Sequence, residues 1–189
     1  IITELFQDAH IDIPQNLAGM MLSAIISDTL LLKSPTTTDH DGEAVKHLAK
    51  VAGVDYEEYG LQMLKAGTNL AAKSDEAIVD GDAKTFELAD SKVRIGQVNT
   101  VDLDDVFSRQ EGIEAAMQAL MDENGYDTFV LIVTNILNSD SDLLALGANL
   151  DKVEAAFDKK LNDQKRMNLP GVVSRKKQVV PPLTKAFEG

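Results

Sequence analysis

Apolar residues recur at helical spacing through the first third of the chain, and no stretch there alternates as a strand does. Ile1, Leu5 and Phe6 predict a short amphipathic helix ending near Asp8-Ala9-His10. Pro14 suits the first turn of a second helix. Its body, Leu17 to Ile26, is apolar on nearly every face, which predicts a helix in the middle of a domain. Asp28 stands at its far end, followed by Leu30-Leu31-Leu32 and the breaker Lys33-Ser34-Pro35. Thr38 and Asp39 cap a third helix bearing Ala44, Val45, Leu48, Ala49 and Val51, closed by Gly53. Asp55 caps a fourth, with Tyr56, Tyr59, Leu61, Met63 and Leu64, which stops at Gly67. A helical layer this apolar wants a sheet beneath it, and none is supplied before residue 80.

Residues 67–74 read as a linker, and beyond them the period changes. Thr85 to Leu88, a turn at Ala89-Asp90-Ser91, and Lys92 to Val98 predict a hairpin. Ser108 to Glu123 is a helix with Ile113, Ala116, Met117 and Leu120 on one face. Thr128 to Thr134 is a continuously apolar strand, of the kind a sheet covered on at least one face contains. Leu143 to Gly147 is its expected neighbour, followed by a helix from Lys152 to Leu161. Val172-Val173 and Val179-Val180 frame Ser174-Arg175-Lys176-Lys177-Gln178, predicting a buried strand with a charged middle, and a short helix follows Pro181-Pro182. Alternating strands and helices make the second part an α/β or α+β domain with a mixed sheet.

Composition narrows the function classes. The 189 residues suffice for one domain or two small ones, and the absence of cysteine excludes disulfides and thiolate metal sites. A net charge of −13 argues against nucleic acid as the main partner. The longest apolar run, Ile13 to Leu32, is broken by Pro14, Gln15, Asn16, Ser23, Ser27 and Asp28, which fits a buried helix and not a membrane span. Ile1-Ile2-Thr3-Glu4 carries no basic leader region, so the cytoplasm is the expected location. The first residue is not Met, as in a fragment, a processed chain or one trimmed of its first residues.

Against so acidic a background, three adjacent cations at 175–177 stand out. On a strand, Arg175 and Lys177 share one face and Lys176 the other, unless a bulge or the strand's end aims Arg175 and Lys176 together. Two readings stand: cations in an apolar frame awaiting an anion, or a basic edge that discourages edge-to-edge pairing. Asp28 also has two readings, a carboxylate paired or metal-bound within an apolar segment, or a helix-end aspartate bonded to nearby backbone N–H groups. His10, His40 and His47 share no metal-ligand spacing. Asp102, Asp104 and Asp105 read as a solvated helix start. Lys84, taken alone, is an ordinary surface lysine. No P-loop, dinucleotide fingerprint or nucleophile elbow is present.

Four segments together carry a resemblance: Ala24 to Thr36, Glu58 to Gly67, Gln97-Val98-Asn99-Thr100-Val101, and Gly171 to Pro181 with its Ser-Arg-Lys-Lys-Gln centre. On these the chain closely resembles the family II, manganese-dependent inorganic pyrophosphatases of the DHH phosphoesterase superfamily. The resemblance implies a cytoplasmic, homodimeric enzyme that cleaves pyrophosphate to two phosphates with Mn2+, or with Mg2+ or Co2+ in its place. It implies that Asp28 is a metal ligand and that Arg175, Lys176 and Lys84 grip the substrate, with Arg175 and Lys176 in catalytic roles. The family's other ligands, in a His-Asn-Pro-Asp-Thr-Asp-type segment, a strand-end aspartate and the Asp-His-His motif, have no counterpart here. The resemblance therefore divides the chain into a helical remainder of the N-terminal α/β domain (1–66), a linker (67–74) and a substrate-binding α/β domain (75–189). This explains why the first four helices lack a sheet.

Such chemistry needs a metal-activated water and cations where charge builds up on the phosphoryl groups. Arg175 offers a planar fork for bidentate phosphate contact, and Lys176 and Lys84 act as point charges. With metals on one domain and cations on the other, closure about the linker becomes part of the cycle. With Asp28 as its lone family ligand, this chain is expected to bind no metal and to hydrolyse nothing by itself. Two alternatives remain: a non-catalytic module that binds phosphate anions or drives oligomerisation, and an exopolyphosphatase of the same superfamily.

Overall fold

The computed structural model describes residues 1–189, which separate into two compact units, Ile1–Gly67 and Thr68–Gly189.

The first unit is all helical: α1 (Ile2–Asp8), α2 (Gln15–Thr29), α3 (Asp39–Ala52) and α4 (Tyr56–Gly67). Pro14 precedes the first turn of α2 as its cap residue. The capping box of α3 joins Thr38 and Asp41, each accepting a bond from the other's backbone N–H. The Thr38 N–H, and then its hydroxyl, hold the Asp41 carboxyl below its ordinary value. The box is therefore intact above the usual carboxylate range and is lost as pH falls through that lowered value. The Asp55 carboxylate accepts from the N–H groups of Glu57 and Glu58 and so starts α4. Ala18, Leu22 and Ile26 of α2 and Val45, Leu48 and Ala49 of α3 form the core. The all-round apolar character of α2 predicts an enclosed helix, but only one stripe is enclosed and Met20 is 70% exposed.

After α2 the chain makes an uncommon turn. Leu30, Leu31 and Leu32 all have left-handed backbones, with φ of 47°, 55° and 64°. For residues bearing a Cβ this costs roughly 1–2 kcal/mol each. The Thr29 hydroxyl accepts from the Leu32 N–H, and the Ser34 N–H returns to the Thr29 carbonyl, which ties the turn together.

The second unit holds a five-stranded sheet in sequential order: β1 (Ala83–Leu88), β2 (Ser91–Thr100), β3 (Thr128–Asn135), β4 (Asp140–Gly147) and β5 (Arg166–Leu169). Only β2 and β3 run parallel, so the sheet is mixed, as expected. Their crossover contains α6 (Asp104–Phe107) and α7 (Gln110–Asn124). The pleat sorts the side chains between two faces. Val98, Phe129, Leu131, Val133, Leu144 and Leu146 meet α7 and α5 (Asp75–Asp80), a six-residue helix too short to give a periodic signal, through its buried Ile78 and Val79. Val93, Ile95, Val130, Ile132, Leu143 and Ala145 meet α8 (Leu150–Phe157) and α9 (Val180–Glu188). Full burial on both faces explains the unbroken apolar run of β3. Gly96 lets α5 lie close on β2: a Cβ there would stand 2.6 Å from the Val79 carbonyl oxygen. Within the expected linker, Leu70 is buried in the second unit's core, and Arg109 donates to the carbonyls of Leu70 (3.3 Å) and Lys73 (3.0 Å).

One expected element is corrected. The segment from Val172 to Val180 is not a strand: Arg175–Val179 is a π-helical turn that runs directly into α9. The sheet edge opposite β1 is instead β5, earlier in the chain. A strand would give its N–H groups to a ladder, whereas here side chains take them. Gln178 Oε1 accepts from the N–H groups of Val173 and Ser174, both at 3.0 Å, and Gln97 Oε1 accepts from that of Arg175 at 3.1 Å. Pro181 and Pro182 in the first turn of α9 favour a helix start at this point. Val173 and Val179 are buried, as a strand reading also requires, so the apolar frame does not separate the two structures.

Candidate functional site

Lys84 pairs with Ile95 across β1 and β2, and directly paired residues point to the same face. Lys84 therefore lies on the face covered by α8 and α9, the face on which the π-helical turn also sits. Arg175 reaches the same register. Its Nη1 donates to the carbonyls of Asp82 and of Ile95 (3.4 Å), and Nη2 meets Asp82 Oδ1 at 2.9 Å. The Arg175 side chain is only 11% exposed, whereas Asp82 is 65% exposed. Lys176 follows it and is exposed, as is Lys84. The structure thus gathers Arg175 and Lys84 at the β1 edge of one sheet face, with Lys176 next along the chain. π-Helical turns occur mostly as short insertions and often at functional sites.

The loop that presents Arg175 is held by a polar layer at the carboxyl ends of the two parallel strands, where open α/β sheets commonly bind ligands. Gln97 of β2 is its hinge pin. While Oε1 takes the Arg175 N–H, Nε2 donates to Thr134 Oγ1 at 2.9 Å and to the Val173 carbonyl at 3.0 Å. Thr134 and Ser141 share a hydroxyl–hydroxyl bond of 2.8 Å, and Ser141 donates to the Val172 carbonyl at 2.6 Å. Gln178 Nε2 closes the loop on the Gly171 carbonyl at 2.8 Å. Neither Gln97 nor Asp82 stands out as a functional residue in the sequence. The available signal is that a glutamine at position 97 continues the Val93, Ile95 face of a buried strand, where an amide must find partners.

Asp28 belongs to the other unit. It is exposed in the last turn of α2, where a negative charge opposes the helix dipole, and it directly precedes the left-handed leucine turn. His10, His40 and His47 are exposed, and His40 Nδ1 lies 3.3 Å from Glu4. Of the 102–105 cluster, Asp104 and Asp105 begin α6, Asp102 Oδ1 accepts from the Asp104 N–H, and Asp105 Oδ2 accepts from the Thr100 hydroxyl. No three His, Asp or Glu side chains come together as a metal site. One carboxylate is too small a donor set for manganese, so this chain's residues do not by themselves fit that ion. No helix is long and apolar enough to cross a membrane.

The second unit is an α/β domain with a basic loop at the carboxyl ends of its two parallel strands, and comparison with known proteins supplies its family. Residues 61–186 match the model of the DHHA2 domain, and the chain belongs to that family. A Lactobacillus helveticus protein named "Probable manganese-dependent inorganic pyrophosphatase" is 59% identical over all of this chain and 61% of its own length. A Streptococcus equi subsp. equi protein of the same name is 57% identical over 99% of this chain and 60% of its own. A solved structure titled "Crystal structure of Methanococcus jannaschii putative family II inorganic pyrophosphatase" superimposes with a TM-score of 0.86 at 41% identity, covering all of this chain and 64% of that one. The chain spans about three-fifths of the length of the curated relatives it matches.

Proposed function

We propose that this chain is the substrate-gripping portion of a manganese-dependent inorganic pyrophosphatase. The observation that carries the reading is the Arg175 loop: its backbone N–H is held by Gln97 at the ends of the parallel strands and its guanidinium by the carbonyls of Asp82 and Ile95, in a chain whose full length aligns with relatives bearing that name. Arg175 binds a phosphoryl group through its planar fork, and Lys84 and Lys176 add charge around it. Stabilising charge as it develops on the phosphoryl oxygens is the principal task of a protein in phosphoryl transfer. Asp28 contributes one carboxylate to the metal site, whose other ligands lie outside this chain. The reading carries with it a cytoplasmic, homodimeric enzyme that acts on neither nucleic acid nor membrane.

Phosphate release tests this. With manganese in excess, the 189-residue chain should release no phosphate from pyrophosphate, and a longer protein of the relatives' length should turn over. In that longer protein, Arg175→Ala should lower turnover by a hundredfold or more, in line with loss of one preorganised electrostatic contact. Asp28→Asn should demand more manganese for the same activity without loss of fold. Robust turnover by the short chain, or an indifferent Arg175→Ala, would refute the assignment. Longer polyphosphates offered alongside pyrophosphate separate the exopolyphosphatase alternative.

A further inference from the structure

Arg175 stands in the structure with a carboxylate already on its Nη2. We infer that Asp82 is an internal occupant of the anion site, and that an incoming phosphate takes its place on the guanidinium. Asp82 then sets how tightly and how selectively the site takes anions. This rests on the reading of Arg175 as the substrate fork.

The bonds divide into two sets. Placement of Arg175 is secured without the Asp82 carboxylate: its backbone N–H is held by Gln97, and Nη1 by the main-chain carbonyls of Asp82 and Ile95. The carboxylate takes Nη2 alone. It is 65% exposed against 11% for Arg175, so it already stands largely in water and regains hydration readily on leaving. Both nitrogens needed for placement stay bonded during the exchange. The guanidinium does not have to move.

Exchange with a built-in carboxylate also discriminates. A monovalent carboxylate in solution offers Nη2 nothing that Asp82 does not already supply. A polyvalent phosphate offers the same contact plus charge for Lys84 on the same sheet face and Lys176 next in the chain. Rejection of weak anions through an internal competitor is specificity obtained by disfavouring the wrong ligand.

The test is calorimetric titration of the 189-residue chain with pyrophosphate, and separately with acetate, at fixed salt. Asp82→Asn should bind pyrophosphate about two- to five-fold tighter, the range for loss of one partly exposed ion pair. Its preference for pyrophosphate over acetate should narrow. Asp82→Glu keeps the competitor and should behave as wild type. Glu87→Gln, which removes the same charge from an exposed site on β1, five residues further along the chain, should leave the affinity unchanged and so separates exchange from general electrostatics. Asp82→Ser, checked by circular dichroism, serves if the asparagine variant folds poorly. Weaker or equal binding by a folded Asp82→Asn, or an equal gain in Glu87→Gln, would overturn the inference. If wild type and Arg175→Ala bind pyrophosphate identically, the substrate-fork reading falls first.

Discussion

Two arginines cross strands β1 and β2 on opposite faces, and each meets one of two aspartates that are two residues apart. Arg94 closes on Asp80: Nε (3.0 Å) and Nη2 both reach Oδ1, Nη1 bonds Thr85 Oγ1 at 3.0 Å, and the Tyr126 ring lies 5.7 Å from the guanidinium carbon. The two side chains are 15% and 39% exposed. Arg175 leans instead on main-chain carbonyls and leaves its aspartate mostly in water. The first pair has every nitrogen engaged and belongs to the fold. The second leaves Nε uncommitted and its carboxylate replaceable. The charged chemistry is the same in both, and what separates architecture from site is whether the partner carboxylate is needed to hold the arginine still.

The largest effects on folding are expected on the Arg94 side. Arg94→Ala leaves Asp80 half-buried without its partner and should lower the unfolding free energy by about 2–3 kcal/mol, below the range for fully buried pairs because Asp80 is partly exposed. Chemical denaturation measures this, and pyrophosphate affinity of the folded variant should be unchanged. Gly96→Ala attacks the same face through packing, since the Val79 carbonyl would have to shift, and should cost about 1–3 kcal/mol. A wild-type melting temperature would show that α5 does not sit as close to β2 as described.

On the other face the effects should appear in binding more than in folding. Gln97→Ala deprives the Arg175 N–H and the Val173 carbonyl of their shared partner. At about 1 kcal/mol for such a bond, pyrophosphate affinity should fall roughly five-fold. An unaltered affinity would mean the loop holds its shape without Gln97. Asp80→Asn is the smallest and sharpest contrast with Asp82→Asn: it should reduce stability by about 1 kcal/mol and leave anion binding alone.

Much of this architecture is written in local patterns. Asp55 and the Thr38 cap, Gly53, the β1–β2 hairpin and the apolar run of β3 are each set by neighbours in sequence, and the structure places them as those patterns predict. The Ser-Arg-Lys-Lys-Gln loop is different. Buried valines on both sides serve a strand and a π-helical turn equally, and the choice rests on Gln97 and Gln178, one of them 78 residues from the arginine it holds. Asp82 is likewise 93 residues from Arg175, so no periodicity could pair them. The left-handed turn at Leu30 to Leu32 contradicts leucine's own preference and had no local signal at all.

With Arg175 as the substrate fork, anion binding by this chain belongs to that one residue and not to basic surface in general. Pyrophosphate titration of wild type, Arg175→Ala and Arg94→Ala, at equal salt and with each variant shown to be folded, tests it most directly. Loss of a charge-assisted bond of about 1.5–3 kcal/mol predicts that Arg175→Ala binds at least tenfold more weakly while Arg94→Ala matches wild type. Equal weakening in both variants, or none in Arg175→Ala, would show that Arg175 is not the anion-binding residue.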